Sequence, residues 1–383
     1  MKVICAPDSF KDALRAAEAA KAMARGILHA RPDAVVDLCP IADGGEGTVD
    51  ALVSATGGTK HVTRVTGPRG EACDAVWGML GGVPEGERTA VIEMAAASGL
   101  ELLAPDQRDP TQTSTFGTGQ LIRTALDAGV TRLIIGIGGS ATNDGGCGMA
   151  AALGARFLDH HGHEVTPLVG GTLDRIARID LTGLDPRLAH TTITVACDVT
   201  NPLTGLNGAS RVYGPQKGAT PEQIERLDAN LRHLAVLWHD QLGRDVETMP
   251  GAGAAGGLGA GLVVFCGATL QRGIDLVLDV VRFDERVRDA TLCLTGEGRL
   301  DGQSLAGKAV LGVARAAAKH YVPTIALVGS AADDAGRTLA AGLTAYHVLA
   351  PGLPRDESIR RTAELLETVA AKVVTRWSRI LEP

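Results

Sequence analysis

The chain has 383 residues and a formal net charge of −7 at pH 7, with 37 Lys and Arg against 44 Asp and Glu. That length is enough for two domains with sizeable cores, and the acidic balance, with no basic block, argues against a nucleic-acid partner and against an anionic membrane surface. Hydrophobic residues make up 45% but aromatic residues only 3%, beside 49 glycines, so alanine and aliphatic side chains must fill the core and many tight turns are expected.

The first strand is expected at Lys2–Ala6, with no apolar stretch in MKVICAPDSF long enough for a signal peptide. An amphipathic helix follows over Asp12–Ala30, and the intervening PDSFK presents Asp8, Ser9 and Lys11 at a strand end, where parallel α/β sheets place ligands; Asp8 or Ser9 could equally cap the helix. The pattern repeats with a strand at Ala34–Leu38, the loop PIADGGEGT (Pro40–Thr48) and a helix to about Thr56. Asp43 and Glu46 in that loop suit either a helix dipole or Mg²⁺ and proton transfer. From about Lys60 the rhythm changes to runs at 60–66, 71–80 and 89–94 joined by Gly/Pro turns, which marks a second domain. Arg108 and the hydroxyls of Thr111, Thr113, Ser114 and Thr115 precede a helix running to Ala128; they suit an anion or a cap.

Leu133–Met149, LIIGIGGSATNDGGCGM, is the stretch around which the chain is organised. A buried strand feeds a glycine loop and then a helix from Met149 to Leu153, an arrangement that brings backbone N–H groups to an anion. Gly138, Gly139, Ser140, Thr142, Asn143 and Asp144 at its tip exceed what a turn needs and are expected to contact substrate or phosphate. The polar stretch DHHGHE, with His160, His161 and His163, reads as a surface turn. A strand at Thr191–Cys197 ends in Asp198, a candidate base. Lys217 stands at the tip of Gly-Pro-Gln-Lys-Gly in a chain with only eight lysines, and Thr220–Leu242 is a long helix opening with Pro221.

Gly251–Leu270 is uncharged and has the ~20-residue length of a membrane helix. Its seven glycines crowd the first half, so a glycine loop followed by a buried helix near Leu258–Cys266 is expected. The GxGxxG at Gly251, Gly253 and Gly256 lacks the preceding strand that a dinucleotide site requires. The α/β rhythm returns near Val287–Ala290: strand Thr291–Thr295, loop GEGRLDGQSLAGK, helix Ala309–Lys319, strand Pro323–Val328, helix 335–341, strand 344–348 and helix 356–379. Gly302–Lys308 approaches a P-loop, but Ala309 stands where Mg²⁺ needs a hydroxyl. Seven scattered cysteines without ligand spacing suit buried thiols in a reducing cytoplasm.

Hydroxyl-bearing glycine loops, the loop lysines Lys11, Lys217 and Lys308, and many loop carboxylates suit phosphoryl transfer, where catalysis is mostly charge neutralisation and positioning. APDSFK, PIADGGEGT, EMAAASGL, DPTQTSTFGTGQLI, GIGGSATNDGG, CDVTNPLTGLNGA, GPQKGA, GAGAAGGLG and TGEGRLDGQSLAGK occur in this order. Over essentially the whole chain this resembles the bacterial glycerate 2-kinase family (glycerate kinase type 1). The resemblance implies transfer of the γ-phosphoryl group of ATP to the 2-hydroxyl of D-glycerate, with Mg²⁺ as cofactor. It also implies a Rossmann-like doubly wound α/β domain (1–60 plus 288–383) split by an inserted mixed α/β domain (61–287), with the active site in the cleft between them. Within that frame Asp198 is the expected base, with Asp43 or Asp144 as alternatives; Lys217 and Lys11 neutralise phosphate; Glu297, Asp301 and Lys308 contact nucleotide; and Asp43, Glu46 and Asp301 are candidate Mg²⁺ ligands. The rival readings are a kinase for another small hydroxy acid, phosphorylation at the 3-hydroxyl, and a non-catalytic small-anion binder. The oligomeric state, monomer or homodimer, is left open.

Overall fold

The structure, a computed structural model, describes residues 1–301 and 309–381. Its strands among these residues are β1 (Lys2–Pro7), β2 (Val35–Leu38), β3 (Thr59–Thr66), β4 (Ala72–Met79), β5 (Thr89–Glu93), β6 (Arg132–Gly136), β7 (Arg156–Leu158), β8 (Arg178–Asp180), β9 (Thr192–Ala196), β10 (Thr269–Gln271), β11 (Leu292–Leu300), β12 (Thr324–Ala331) and β13 (Ala345–Val348). The chain divides into two units: the first holds Met1–Asp43, Asp50–Gly58 and Ile274–Pro383, the second Gly44–Val49 and Thr59–Gly273. Two stretches therefore depart from the expected boundaries. Gly44–Val49 packs with the second unit, and Ile274–Val287 with the first.

The first unit is built on a five-stranded parallel sheet in the order β13-β12-β11-β1-β2. Its strands read as near-continuous apolar runs because helices cover both faces. Val3, Cys5, Leu292, Leu294, Ile325 and Leu327 pack in the cluster that includes residues of the helices Ala16–Ala30 and Thr362–Leu381. Alternate residues Ala326 and Val328 pack with the helix Ala309–Ala318. Burying each large aliphatic side chain contributes about 1.5–3 kcal/mol. Counted within the unit, the strand order is that of a flavodoxin-type doubly wound sheet, and the winding reverses between β1 and β11. The carboxyl end of β1, Pro7–Asp8, and the stretch of β11 paired with it, Gly296–Glu297, are thus where such a sheet leaves room for a ligand.

The second unit carries a six-stranded mixed sheet, β10-β9-β6-β5-β4-β3, parallel from β10 to β5 and antiparallel from β5 to β3. Its core gathers Ile92, Leu133, Ile135, Leu234 and Leu258 with Trp238 and Phe157, whose rings each meet Phe265 edge-on. The helix Pro221–Leu242 begins as its sequence dictates: the Thr220 hydroxyl accepts the Gln223 amide and the Gln223 side chain accepts the Thr220 amide.

Two local expectations differ from the structure, and a third is met. The first helix begins at Ala16, because Asp12 adopts φ 64 and Phe10 and Leu14 close a bridge across the turn. The C-terminal helix is two, Arg355–Arg360 and Thr362–Leu381; the Thr362 hydroxyl donates back to the carbonyls of Ser358 and Ile359 at the junction. The uncharged span Gly251–Leu270 contains a turn at Ala254–Gly257 and a nine-residue helix, Leu258–Cys266. Among the described residues no helix is long and apolar enough to cross a membrane.

Candidate active site

In the second unit the loop after β6 folds inward rather than outward. Gly138 and Gly139 form its exposed arc, whereas Ser140 is 8% exposed and Thr142, Asn143 and Asp144 are fully buried. Asp144 accepts four hydrogen bonds: from the Thr115 amide (2.8 Å), the Thr115 hydroxyl (2.8 Å), the Gly146 amide (3.1 Å) and the Gly148 amide (3.2 Å). Burial pushes its carboxyl above the usual range, and the four donors pull it back. Expected to meet substrate, Asp144 instead joins the start of the helix Cys147–Ala152 to Thr115, at the N-cap of the helix Phe116–Asp127.

Lys217 is likewise displaced from its expected place. It lies 1% exposed, and its ammonium donates to the Thr142 carbonyl at 2.6 Å. Burial lowers its pKa to about 7, against the opposing pull of Asp144. A lysine placed by sequence at a loop tip is folded under the glycine loop, because Gly214–Gly218 turns back as a short 3₁₀ segment. The Asn143 side-chain carbonyl accepts from the Ser210 hydroxyl at 3.2 Å. The Thr142 hydroxyl and the Asn143 amide nitrogen are buried without a partner. An unmatched buried donor costs about 1–3 kcal/mol, so two on one loop call for a ligand or water. Gly256 holds this loop from the other side. Its φ is 68, and a Cβ there would lie 2.0 Å from the Thr142 carbonyl oxygen. That explains a glycine of the GxGxxG string without any dinucleotide.

Asp198, just beyond β9, is exposed, and its Oδ1 accepts the Gly273 amide at 2.9 Å. Glu93, at the end of β5, accepts the Val49 amide at 2.7 Å and so fixes the segment that carries the exposed Glu46. Thr115, expected to bind an anion or cap a helix, stands at the N-cap of Phe116–Asp127; Glu93 and Ser210 carry no expected role, and the strand-end position of Glu93 is its only signal in the sequence.

In the first unit the end of β1 and the middle of β11 bring Asp8 and Glu297 together. The Asp8 amide donates to the Gly296 carbonyl (2.8 Å), and the Asp8 carboxylate accepts the Ser9 amide (2.6 Å). Its pKa is pushed up to about 8, first by burial and then by Asp43, with a smaller contribution from Glu297, while the Ser9 bond opposes the shift. Glu297 is 7% exposed. Lys11 is exposed and Ser9 half-buried. Asp301 lies 3.6 Å from the Arg299 guanidinium. Of the expected Mg²⁺ ligands, Asp43 and Asp301 belong to the first unit and Glu46 to the second; among the described residues no three His, Cys, Asp or Glu side chains form a metal-holding group. Lys308 and the P-loop-like Gly302–Lys308 lie outside the described residues.

The model of the glycerate kinase family matches residues 3–378. The chain is 51% identical over 374 residues to a glycerate kinase of Bacillus subtilis (strain 168), covering 97% of each chain. It is 50% identical over 361 residues to the glycerate 2-kinase of Escherichia coli (strain K12), covering 94% of this chain and 93% of that one. A solved structure described as a putative glycerate kinase 2 from Salmonella typhimurium LT2 superposes with a TM-score of 0.91 at 47% identity, over 100% of both chains. With its doubly wound sheet split by an inserted mixed domain and a match along nearly its full length, the chain belongs to the glycerate kinase family.

Proposed function

We propose that the protein transfers the γ-phosphoryl group of ATP to the 2-hydroxyl of D-glycerate, giving 2-phosphoglycerate and ADP, with Mg²⁺ as cofactor. The observation that supports this reading is the donor-rich, partly unsatisfied loop at Ser140–Asp144 of the second unit, in a chain that belongs to the glycerate kinase family. The donor set fits Mg²⁺ in one particular way. Asp8, Asp43 and Glu297 offer hard oxygen atoms, and Asp43 and Glu297 raise the cost of ionising Asp8, yet among the described residues no three acids form a cage. Mg²⁺ commonly takes one or two carboxylates and completes its shell with waters and phosphate oxygens, so Asp43 and Glu297 are the residues that would hold it alongside nucleotide.

When bound, Mg²⁺ and ATP supply a phosphoryl group whose charge is partly neutralised. The chain supplies position and charge. Asp198, steadied by the Gly273 amide, accepts the proton of the acceptor hydroxyl. Gly138 and Gly139 offer backbone amides, with Ser140 beside them, to the moving group. Lys217 acts from beneath by holding the Thr142 carbonyl, which makes it a positioning residue. Lys11 and Ser9 complete the loop after β1.

The test is product formation from ATP, Mg²⁺ and D-glycerate coupled directly to enolase without a mutase. Enolase accepts 2-phosphoglycerate but not the 3-isomer, so a signal supports both activity and regiochemistry. ADP without an enolase signal would count against the 2-hydroxyl as acceptor. Absence of ADP would remove the kinase reading for this acid.

A further inference from the structure

We infer that Arg108 binds the carboxylate of the acceptor acid and is the residue that makes the enzyme prefer an acid over an uncharged polyol or ester. The inference rests on the kinase reading above and adds a residue and a specificity to it.

Arg108 is half-buried, and among the described residues its guanidinium makes no ion pair or hydrogen bond, while its Nε is buried without any partner. Arginine side chains elsewhere in the chain, such as Arg187 with Asp185 and Arg361 with Glu364, find carboxylates even at the exposed surface. A partly desolvated guanidinium with no counter-ion is a costly arrangement, and it is what an anion site looks like before the anion arrives.

The segment that begins at Arg108 is fastened along the buried loop. The Thr113 hydroxyl donates to the Ala141 carbonyl at 2.9 Å, and Thr115 donates twice to Asp144. Its first residue is locked to the turn that carries Lys217. Gly218 has φ 89, and a Cβ there would come within 2.3 Å of the Arg108 carbonyl oxygen and 3.0 Å of the Arg108 Cβ. Only glycine permits that approach. The fold thereby sets the Arg108 backbone against the turn that carries Lys217, whose ammonium holds the Thr142 carbonyl beside Asn143.

What is left unmatched on these segments is chemically one-sided. The orphans are Arg108 Nε, the Asn143 amide nitrogen and the Thr142 hydroxyl: two obligate donors and one hydroxyl able to donate. The nearby carboxylate, Asp144, already accepts four hydrogen bonds. The missing partner is an acceptor that brings negative charge. Two planar N–H donors and a hydroxyl suit a planar carboxylate on a small molecule better than the many oxygens of a triphosphate.

The experiment measures steady-state kinetics of wild type, R108K and R108A with D-glycerate and with its methyl ester, varying ATP separately. Isothermal titration of each protein with D-glycerate, and far-UV circular dichroism to confirm folding, accompany the kinetics. R108A is expected to raise KM for D-glycerate about 10–100-fold, as loss of charge-assisted hydrogen bonds does, with KM for ATP within about twofold of wild type. R108K is expected to recover part of the loss, because it restores the charge without the planar fork. The wild-type preference for acid over ester should collapse in R108A. An unchanged acid-to-ester ratio in an active R108A, or a loss carried by KM for ATP, overturns the inference and leaves the kinase reading standing. A wild-type protein that neither phosphorylates nor binds D-glycerate overturns both.

Discussion

Replacing Lys217 by Met tests whether the glycine loop rests on a buried, readily neutralised ammonium. In the unfolded chain the lysine titrates at its ordinary 10.5, whereas burial brings it to about 7 in the folded protein. Between those values the unfolded chain holds a proton that the folded chain has released. Stability therefore rises with pH by about 1.4 kcal/mol per pH unit across the interval, and is lost again as pH falls toward about 7. The full interval corresponds to about 5 kcal/mol, and a window from about pH 7.5 to about 9 to roughly 2 kcal/mol. Methionine has similar length and no charge, so the variant lacks this slope. It also loses the bond to the Thr142 carbonyl, worth about 1 kcal/mol net. The assay is urea unfolding at several pH values in a W377F background, so that tryptophan emission reports on Trp77 and Trp238 of the second unit. The difference between the K217M and wild-type stabilities should shrink or change sign toward high pH. Parallel pH profiles would refute the argument, and so would a K217M protein with undiminished turnover.

Four further outcomes follow from the same geometry. Asp144→Ala removes four hydrogen bonds from a buried carboxylate and is expected to cost at least about 1–3 kcal/mol through the buried donors left unsatisfied; a denaturation midpoint like that of wild type would deny Asp144 its role in joining two helix starts. Gly256→Ala forces a Cβ toward the Thr142 carbonyl at φ 68 and should lower both stability and turnover, read by thermal unfolding and the coupled assay. Asp8 has a raised folded pKa of about 8, so its contribution is present below the ordinary carboxylate value and is lost as pH rises through about 8. Asp8→Asn should therefore become progressively more stable relative to wild type between pH 4 and 8, and unfolding followed by Trp377 emission would show it. Asp198→Asn should cut turnover by more than ~100-fold if Asp198 takes the hydroxyl proton; a near-normal kcat removes it from that role.

Local chemistry made much of the fold legible in the sequence. Apolar runs such as Leu133–Ile137 and Thr324–Val328 read as strands covered on both faces, and Thr220 with Pro221 and Gln223 specifies a helix start through its own hydrogen bonds. Positive φ at Gly139, Gly145, Gly146 and Gly256 suits the loops in which those residues stand. The order of glycine-loop motifs along the chain carried the family resemblance.

What the sequence could not settle is which side chains face inward. Thr142, Asn143, Asp144 and Lys217 look from the chain alone like an exposed polar tip, but neighbours distant in sequence decide otherwise: Thr115, Ser210 and Gly256 surround them and bury them. The same holds for Asp8, whose proton affinity depends on Asp43 and on Glu297, 289 residues away from it in sequence. Backbone conformation is governed largely by adjacent residues, so motifs and turns can be read in order along the chain. Burial, hydrogen-bond saturation and charge coupling act through space, and only the packed sheet ends determined which carboxylate is occupied, which lysine is hidden and which arginine is left without a partner.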